Sequence, residues 1–239
     1  HDALMTHQVL FFRDQEMSLD QHKDFARQFG DLAVHPGIPG PEGHPEVIHI
    51  HADATSTRIA GEDWHSDVTC EAEPPMGSVL HLHTVPESGG DTLFASMYAA
   101  YEALSDPMKA FLGELIAHHS GENAYRGRYV HRGVDDAGAV YPNHDHPVIR
   151  THPVTKKKAL FVNRIFTTRI NGLTAAESDN LLAFLFDHVA KPEFQVRFQW
   201  QAGSVAFWDN RSVQHYAIWD YFPETRSGYR VTIGGDQPY

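Results

Sequence analysis

The sequence predicts a mixed α/β protein that is mainly β: a double-stranded β-helix, or jelly roll, flanked by helices. Three observations lead there. Short apolar runs with period-two alternation recur along the chain, separated by Gly, Pro, Asn and Asp, as in a sandwich or barrel. Three or four stretches with helical periodicity fall outside those runs. No repeat, low-complexity tract or linker divides the 239 residues, so residues 1–239 read as a single domain.

In chain order, His1 to Thr6 is an abrupt start, and an N-terminal lead-in is expected to be missing. His7 to Phe12 reads as a core strand. Ser18 caps a helix running to Phe29, with Leu19, Phe25, Ala26 and Phe29 on one face and Gly30 as its stop. Residues 36–45 form a Pro/Gly loop, and 46–51 alternate as a strand. A polar loop over 52–63 leads into Trp64-His65-Ser66-Asp67-Val68-Thr69, expected on a strand that Pro74-Pro75 breaks. Strands are expected over 78–85 and 92–95, joined by a turn containing Gly89-Gly90. Two helices should follow, over 97–104 and 106–118. The second has Ser105 as N-cap, Pro107 in its first turn, and Phe111, Leu112, Leu115 and Ile116 as its core face. Residues 120–146 are the longest aperiodic stretch and read as a functional lid or a disordered segment. Val148-Ile149 and 159–162 read as strands around a solvated Lys156-Lys157-Lys158 turn. Thr174-Ala175-Ala176-Glu177 is a capping box that opens a helix to about Val189. Strands over 194–200, 204–208 and 229–233 close the chain.

Composition narrows the function. Hydrophobic content of 41% and charged content of 21% are those of a soluble globular protein. No apolar run approaches the ~20 residues that cross a bilayer, and no signal-peptide pattern is present. Cys70 is the single cysteine, which excludes an internal disulfide and suits a reducing cytoplasm. A net charge of −12 argues against nucleic acid or an anionic membrane as partner. A buried Arg could still capture a small anion, because local charge decides that.

The chemistry centres on His65 and Asp67. On a strand, residues two apart point to one face, so an imidazole and a carboxylate would aim at one point. With a second His they would make a two-His-one-carboxylate triad, which holds Fe(II) and leaves positions open. Alone the pair is weak, because 18 His and 31 acidic residues produce such spacings by chance. His215, after the strand ending at Trp208, is the candidate third ligand. Arg226 and Arg230 follow, Arg230 within the apolar alternation of Tyr229, Val231 and Ile233. A buried Arg needs an anionic partner; an ordinary ion pair would serve as well as a ligand. The pairs His49/His51 and His81/His83 lack a carboxylate at matching spacing and read as structural or exposed. Trp64 and Trp208 read as core packing, and Cys70 as a small apolar residue.

Four segments in order resemble the Fe(II)/2-oxoglutarate-dependent dioxygenases of the taurine dioxygenase (TauD/TfdA-like) group. They are Trp64 to Thr69, Gly89-Gly90-Asp91-Thr92, Leu160 to Asn163 with Phe166 to Ile170, and Trp208 to Arg211 continuing through Gln214-His215-Tyr216-Ala217 to Arg226 and Arg230. The resemblance runs from about Gln8 to the C-terminus. It implies His65, Asp67 and His215 as iron ligands, and Thr92 and Arg226 as anchors for the distal carboxylate of 2-oxoglutarate. It further implies Arg230 and His35 as binders of the substrate's anionic head, with Val68, Tyr125 and Phe166 as pocket walls. A guanidinium grips a carboxylate bidentately, and Arg230 and His35 can offer charge-assisted donors to a tetrahedral anion. Where the taurine-specific member has a tyrosine this chain has Ile38, and Gly61 nearby offers no side chain. An apolar wall there suits an alkylsulfonate or alkyl sulfate better than an aminosulfonate.

The expected activity is hydroxylation of the carbon beside the heteroatom of a small sulfonate or sulfate ester. Oxygen and 2-oxoglutarate are consumed, succinate and CO2 are formed, and the adduct collapses to an aldehyde plus sulfite or sulfate, as in sulfur scavenging. The runner-up substrate is a phenoxyalkanoate or other small carboxylate. From other classes, a non-catalytic metal- and acid-binding jelly roll and a zinc or iron-independent hydrolase are the alternatives. The expected partners are a small anionic substrate and O2, without nucleic acid or membrane, in a homo-oligomer (dimer or tetramer) in the cytoplasm.

Overall fold

A computed structural model describes residues 1–128, 130, 133 and 135–239. Its elements run α1 (Asp2–His7), β1 (Val9–Phe12), α2 (Leu19–Arg27), β2 (Leu32–Ala33), β3 (Val47–Ala52), β4 (Gly77–Thr84), β5 (Thr92–Ser96), α3 (Met97–Glu102), α4 (Asp106–Leu112) and β6 (Ile116–Ser120). There follow α5 (Glu122–Tyr125), β7 (Asn143–Pro147), β8 (Ile149–Thr151), β9 (Lys158–Leu160), β10 (Thr167–Ile170), α6 (Ala175–Val189), β11 (Gln195–Phe198), β12 (Ser204–Asp209), β13 (Val213–Ala217) and β14 (Arg226–Ile233).

Two antiparallel sheets make the jelly roll. The larger runs β1-β12-β4-β14-β2, with β3 also paired to β14; the smaller runs β11-β5-β13. Leu80 and Leu82 of β4, Ala206 and Trp208 of β12, Phe94 of β5 and Phe198 of β11 pack between them as one core. This alternation is what a two-faced strand requires. The outer face of the larger sheet carries Val79, Val205, Phe207 and Val231, against which Leu4 of α1 and Ala26 of α2 pack. Outside the smaller sheet, Ala95 joins a third core with Ala100, Leu112, Leu160, Leu182 and Leu185 of the helices and short strands.

Local chemistry explains the helix limits. Ser18 and Thr174 each close a full capping box, with Gln21 and Glu177. The helix expected over 106–118 stops at Leu112, with Gly113 as its C-cap. Residues 116–120 become β6, paired to β7 and β10. Phe111 and Ile116 therefore sit outside the core, at 47% and 42% exposure. The strand expected from His7 begins at Val9, because the chain before it coils into α1 and Gln8 takes φ 67. Within 120–146, α5 and β7 are ordered elements, while residues 129, 131, 132 and 134 lie outside the described residues. Among the described residues no helix is long and apolar enough to cross a membrane.

Candidate active site

His65 and Asp67 converge through a turn, not along a strand as their spacing suggested. His65 makes one isolated antiparallel bridge to His215 of β13, with N to O distances of 3.1 and 2.8 Å. The chain then turns, and Val68 adopts φ 50, a conformation that β-branched residues rarely take. Ser66 Oγ donates to the Val213 carbonyl at 2.7 Å, pinning the turn to β13. The result brings Asp67 Oδ1 to 3.7 Å from His65 Nε2 and 3.9 Å from His215 Nε2. Among the described residues this is the only buried trio of potential ligands, its atoms all within 4.8 Å of one another.

Neighbouring groups orient each ligand. His65 Nδ1 donates to the Asp63 carbonyl at 2.8 Å, which leaves the Nε2 lone pair facing inward. Gly61 (φ 78) makes room for that ring, since a Cβ there would lie 3.0 Å from His65 Cε1. Asp67 Oδ2 accepts from Ser78 Oγ at 2.7 Å, and Asn210 Nδ2 donates to Ser78 Oγ at 3.2 Å. Asn210 Oδ1 in turn accepts from Trp208 Nε1 at 2.9 Å and from the Asp67 amide at 3.2 Å. The Trp208 ring lies against His215, centroids 4.6 Å apart, so Trp208 supports a ligand as well as packing the core. Burial, with His65 beside it, holds His215 well below the usual imidazole range and so neutral. Burial opposes ionisation of Asp67, but Arg230, His215 and His65 outweigh it and hold the carboxyl well below its usual range. Two imidazoles and one carboxylate converging in this way fit Fe(II).

The two arginines differ. Arg226 opens β14, is buried, and donates from Nε to the Gly90 carbonyl at 2.9 Å and from Nη2 to Thr92 Oγ1 at 3.3 Å. No carboxylate among the described residues lies within ion-pair distance of it. Burial pulls it down to about 10, so it stays charged at neutral pH and needs an anion. Arg230 has its anion already: Nη1 donates to Asp67 Oδ1 at 2.6 Å. The ordinary ion pair weighed for it is therefore real, while its buried Nε has no partner among the described residues.

His35 corrects one expectation. Its Nδ1 accepts from the Gly37 and Ile38 amides, both at 3.0 Å, so its hydrogen sits on Nε2. Burial and the Arg230 charge pull it down to about 3. It can donate only as a neutral imidazole, not as a charge-assisted donor. The apolar wall is one cluster in which Val68, Tyr125 and Phe166 pack with Cys70, Ala124 and Tyr141. His49 and His51 bond Ser227, and His81 bonds the Gln15 carbonyl, in keeping with structural roles. Burial pushes the Cys70 thiol up to about 12.

All ten residues singled out in the sequence (His35, His65, Asp67, Val68, Thr92, Tyr125, Phe166, His215, Arg226 and Arg230) line one cavity of about 740 Å³, mouth included. Sequence reasoning missed Ser78, Asn210 and Trp200. Asn210 carries a signal, as a polar residue just past an apolar strand. Ser78 and Trp200 carry none, because their partners are distant in the chain.

Comparison with known proteins identifies the family. The profile of the family described as "Taurine catabolism dioxygenase TauD, TfdA family" matches residues 1–232. An "Alpha-ketoglutarate-dependent sulfate ester dioxygenase" of Pseudomonas putida is 37% identical, over 99% of this chain and 80% of its own length. A crystal structure of a taurine dioxygenase from Burkholderia xenovorans superposes with a TM-score of 0.83 at 38% identity, covering 99% of this chain and 80% of that one. A structure of AAD-2 in complex with Mn(II) and N-oxalylglycine gives a TM-score of 0.80 at 29% identity, over 99% of this chain and 86% of that one. The chain belongs to the taurine catabolism dioxygenase TauD, TfdA family and is an α-ketoglutarate-dependent dioxygenase.

Proposed function

We propose that this dioxygenase hydroxylates the carbon next to the heteroatom of a small alkyl sulfate or alkylsulfonate. The observation that carries the reading is the shared cavity: the His65/Asp67/His215 trio and two cationic side chains face it together. In this reading His65, Asp67 and His215 hold Fe(II), and Arg226 and Thr92 hold the distal carboxylate of 2-oxoglutarate. When bound, the metal and cosubstrate supply oxygen activation coupled to oxidative decarboxylation, which yields succinate and CO2. Arg230 and the neutral His35 Nε2–H hold the anionic head. Ile38, Val68, Tyr125 and Phe166 hold the alkyl chain and exclude water. Hydroxylation of R–CH2–OSO3⁻ gives R–CH(OH)–OSO3⁻. Loss of the hydroxyl proton and cleavage of the C–O(sulfate) bond then give aldehyde and sulfate; a sulfonate gives aldehyde and sulfite by C–S cleavage.

The sulfate ester relative supports the substrate class, and Ile38 and Gly61 in the wall favour an alkyl chain over an amine. The two sheets supply Thr92, His215, Arg226 and Arg230, and segments spread from His35 to Phe166 supply the rest, which supports reading residues 1–239 as one catalytic domain. A cytoplasmic setting and a dimer or tetramer belong to the same proposal; light scattering tests the latter. The central experiment measures succinate and product with hexyl sulfate, hexanesulfonate, taurine and a phenoxyacid. Coupled turnover is expected with the first two. If only the phenoxyacid couples, the sulfur assignment fails. His65→Ala and Asp67→Ala should abolish Mn(II) binding and turnover together, and full activity in either would overturn the metal assignment.

A further inference from the structure

Thr92 opens β5, and β11 pairs with it so that Phe198 lies opposite Thr92. Two residues beyond Phe198, Trp200 turns its indole back, and Nε1 donates to Thr92 Oγ1 at 2.9 Å. Arg226 Nη2 donates to the same oxygen at 3.3 Å. Trp200 is 8% exposed and Thr92 3%, so no bulk water competes for these bonds. The Arg226 guanidinium also lies over the Trp200 ring, 5.5 Å from its centroid.

A hydroxyl has one proton to donate and two lone pairs to accept with. Here both lone pairs are taken, by an indole N–H and a guanidinium N–H. The Thr92 proton has only the remaining direction, toward the cavity that Thr92 and Arg226 line. We propose that Trp200 is a positioning residue: it fixes the Thr92 hydroxyl as a donor, so that this end of the cavity offers donors alone and accepts only an ionised carboxylate. Trp200 does not itself line the cavity and acts through Thr92. A ligand with a distal amide would set N–H against N–H here and bind poorly. The inference rests on Thr92 and Arg226 being the cosubstrate anchor.

Calorimetric binding of 2-oxoglutarate to the Mn(II)-loaded full chain tests it without turnover. Trp200→Phe keeps an aromatic ring and removes the N–H. It should weaken 2-oxoglutarate about tenfold, the loss of one hydrogen bond to a charged acceptor, and leave Mn(II) and hexyl sulfate affinities unchanged. Thr92→Val should weaken it at least as much, and Thr92→Ser should retain affinity. In the Thr92→Val background, Trp200→Phe should add less than about twofold, because the two side chains act as one unit. Additive losses, or a Trp200→Phe variant that binds normally, would overturn the proposal. Should Trp200→Phe not fold, wild-type protein and Thr92→Ser decide: equal wild-type affinities for 2-oxoglutarate and 2-oxoglutaramate, or loss of binding in Thr92→Ser, would refute it. Failure of the anchor reading looks different, since Arg226→Met and Thr92→Val would then both bind 2-oxoglutarate normally.

Discussion

Asp67 divides its carboxylate between neighbours: Oδ1 faces the two imidazoles and Arg230, while Oδ2 is held by Ser78. Ser78→Ala frees Oδ2 and lets the carboxylate rotate. Mn(II) affinity should fall about 10- to 100-fold, the usual cost of removing an outer partner of a ligand. A manganese titration measures this, and unchanged affinity would show that Ser78 does not orient Asp67 and that Arg230 on Oδ1 suffices. Single residues with distinctive chemistry were legible in the sequence, because an Arg inside an apolar strand or a His-x-Asp pair stands out against its surroundings. Ser78 and Trp200 were not, since a serine on a strand and a tryptophan just past one look like packing until the fold brings Asp67 and Thr92 to them. The charge state of His35 was illegible for the same reason, being set by burial and by the Arg230 charge.

Elements were legible where local chemistry dominates. The Ser18 N-cap and the Thr174 capping box sit where the sequence puts them. The Trp64–Thr69 segment misled because its alternation imitates a strand, while its real conformation is imposed by β13 through Ser66 and the His65 bridge. β13 itself was missed, because Val213–Ala217 mixes Gln, His and Tyr with apolar residues; its pairing with β5 supplies what its composition does not. Two loop segments also meet at the cavity mouth: Arg128, just past α5, donates from Nη2 to Glu62 Oε1 at 2.7 Å. Arg128 lines the cavity, so this bond ties the segment before the triad to the one carrying the aromatic wall. Arg128→Met should raise KM for the alkyl sulfate several-fold and leave 2-oxoglutarate binding unchanged. Stability should fall by no more than about 1 kcal/mol, as for other partly exposed ion pairs. An unaltered KM in steady-state assays would show that the tie does not govern entry.

For the whole molecule, the jelly roll followed from counting alternating runs, but the packing of helices on both outer faces did not. That layering depends on long-range pairs such as β1 with β12 and β3 with β14, which no local window contains. It also seals His22 of α2 against the larger sheet, where Nε2 donates to the Val79 carbonyl at 3.0 Å. Burial pulls His22 down to about 4 from the ordinary 6.5. Between those values the unfolded chain binds a proton that the folded chain refuses. Stability is therefore fully present above pH 6.5 and falls as the pH drops toward 4. At pH 5 this residue alone should account for about 2 kcal/mol. Urea midpoints at pH 7 and pH 5 check this, and His22→Asn should flatten part of the difference. Some slope will persist, because burial pulls His146 down to about 4 as well. Equal slopes in the two proteins would exonerate His22.

The pocket wall also contains a clock. Cys70 is fully buried among Val68, Tyr125 and Phe166, with its thiol pushed up to about 12. A protonated thiol is a poor nucleophile, which protects it from oxidants generated next door. It is also the only sulfhydryl in the chain. A chromogenic disulfide reagent can therefore react only when the wall opens, so its rate reports the opening frequency of that wall. Alkyl sulfate bound against the wall should slow labelling, whereas a rate equal to that of the unfolded chain would mean that the wall does not close.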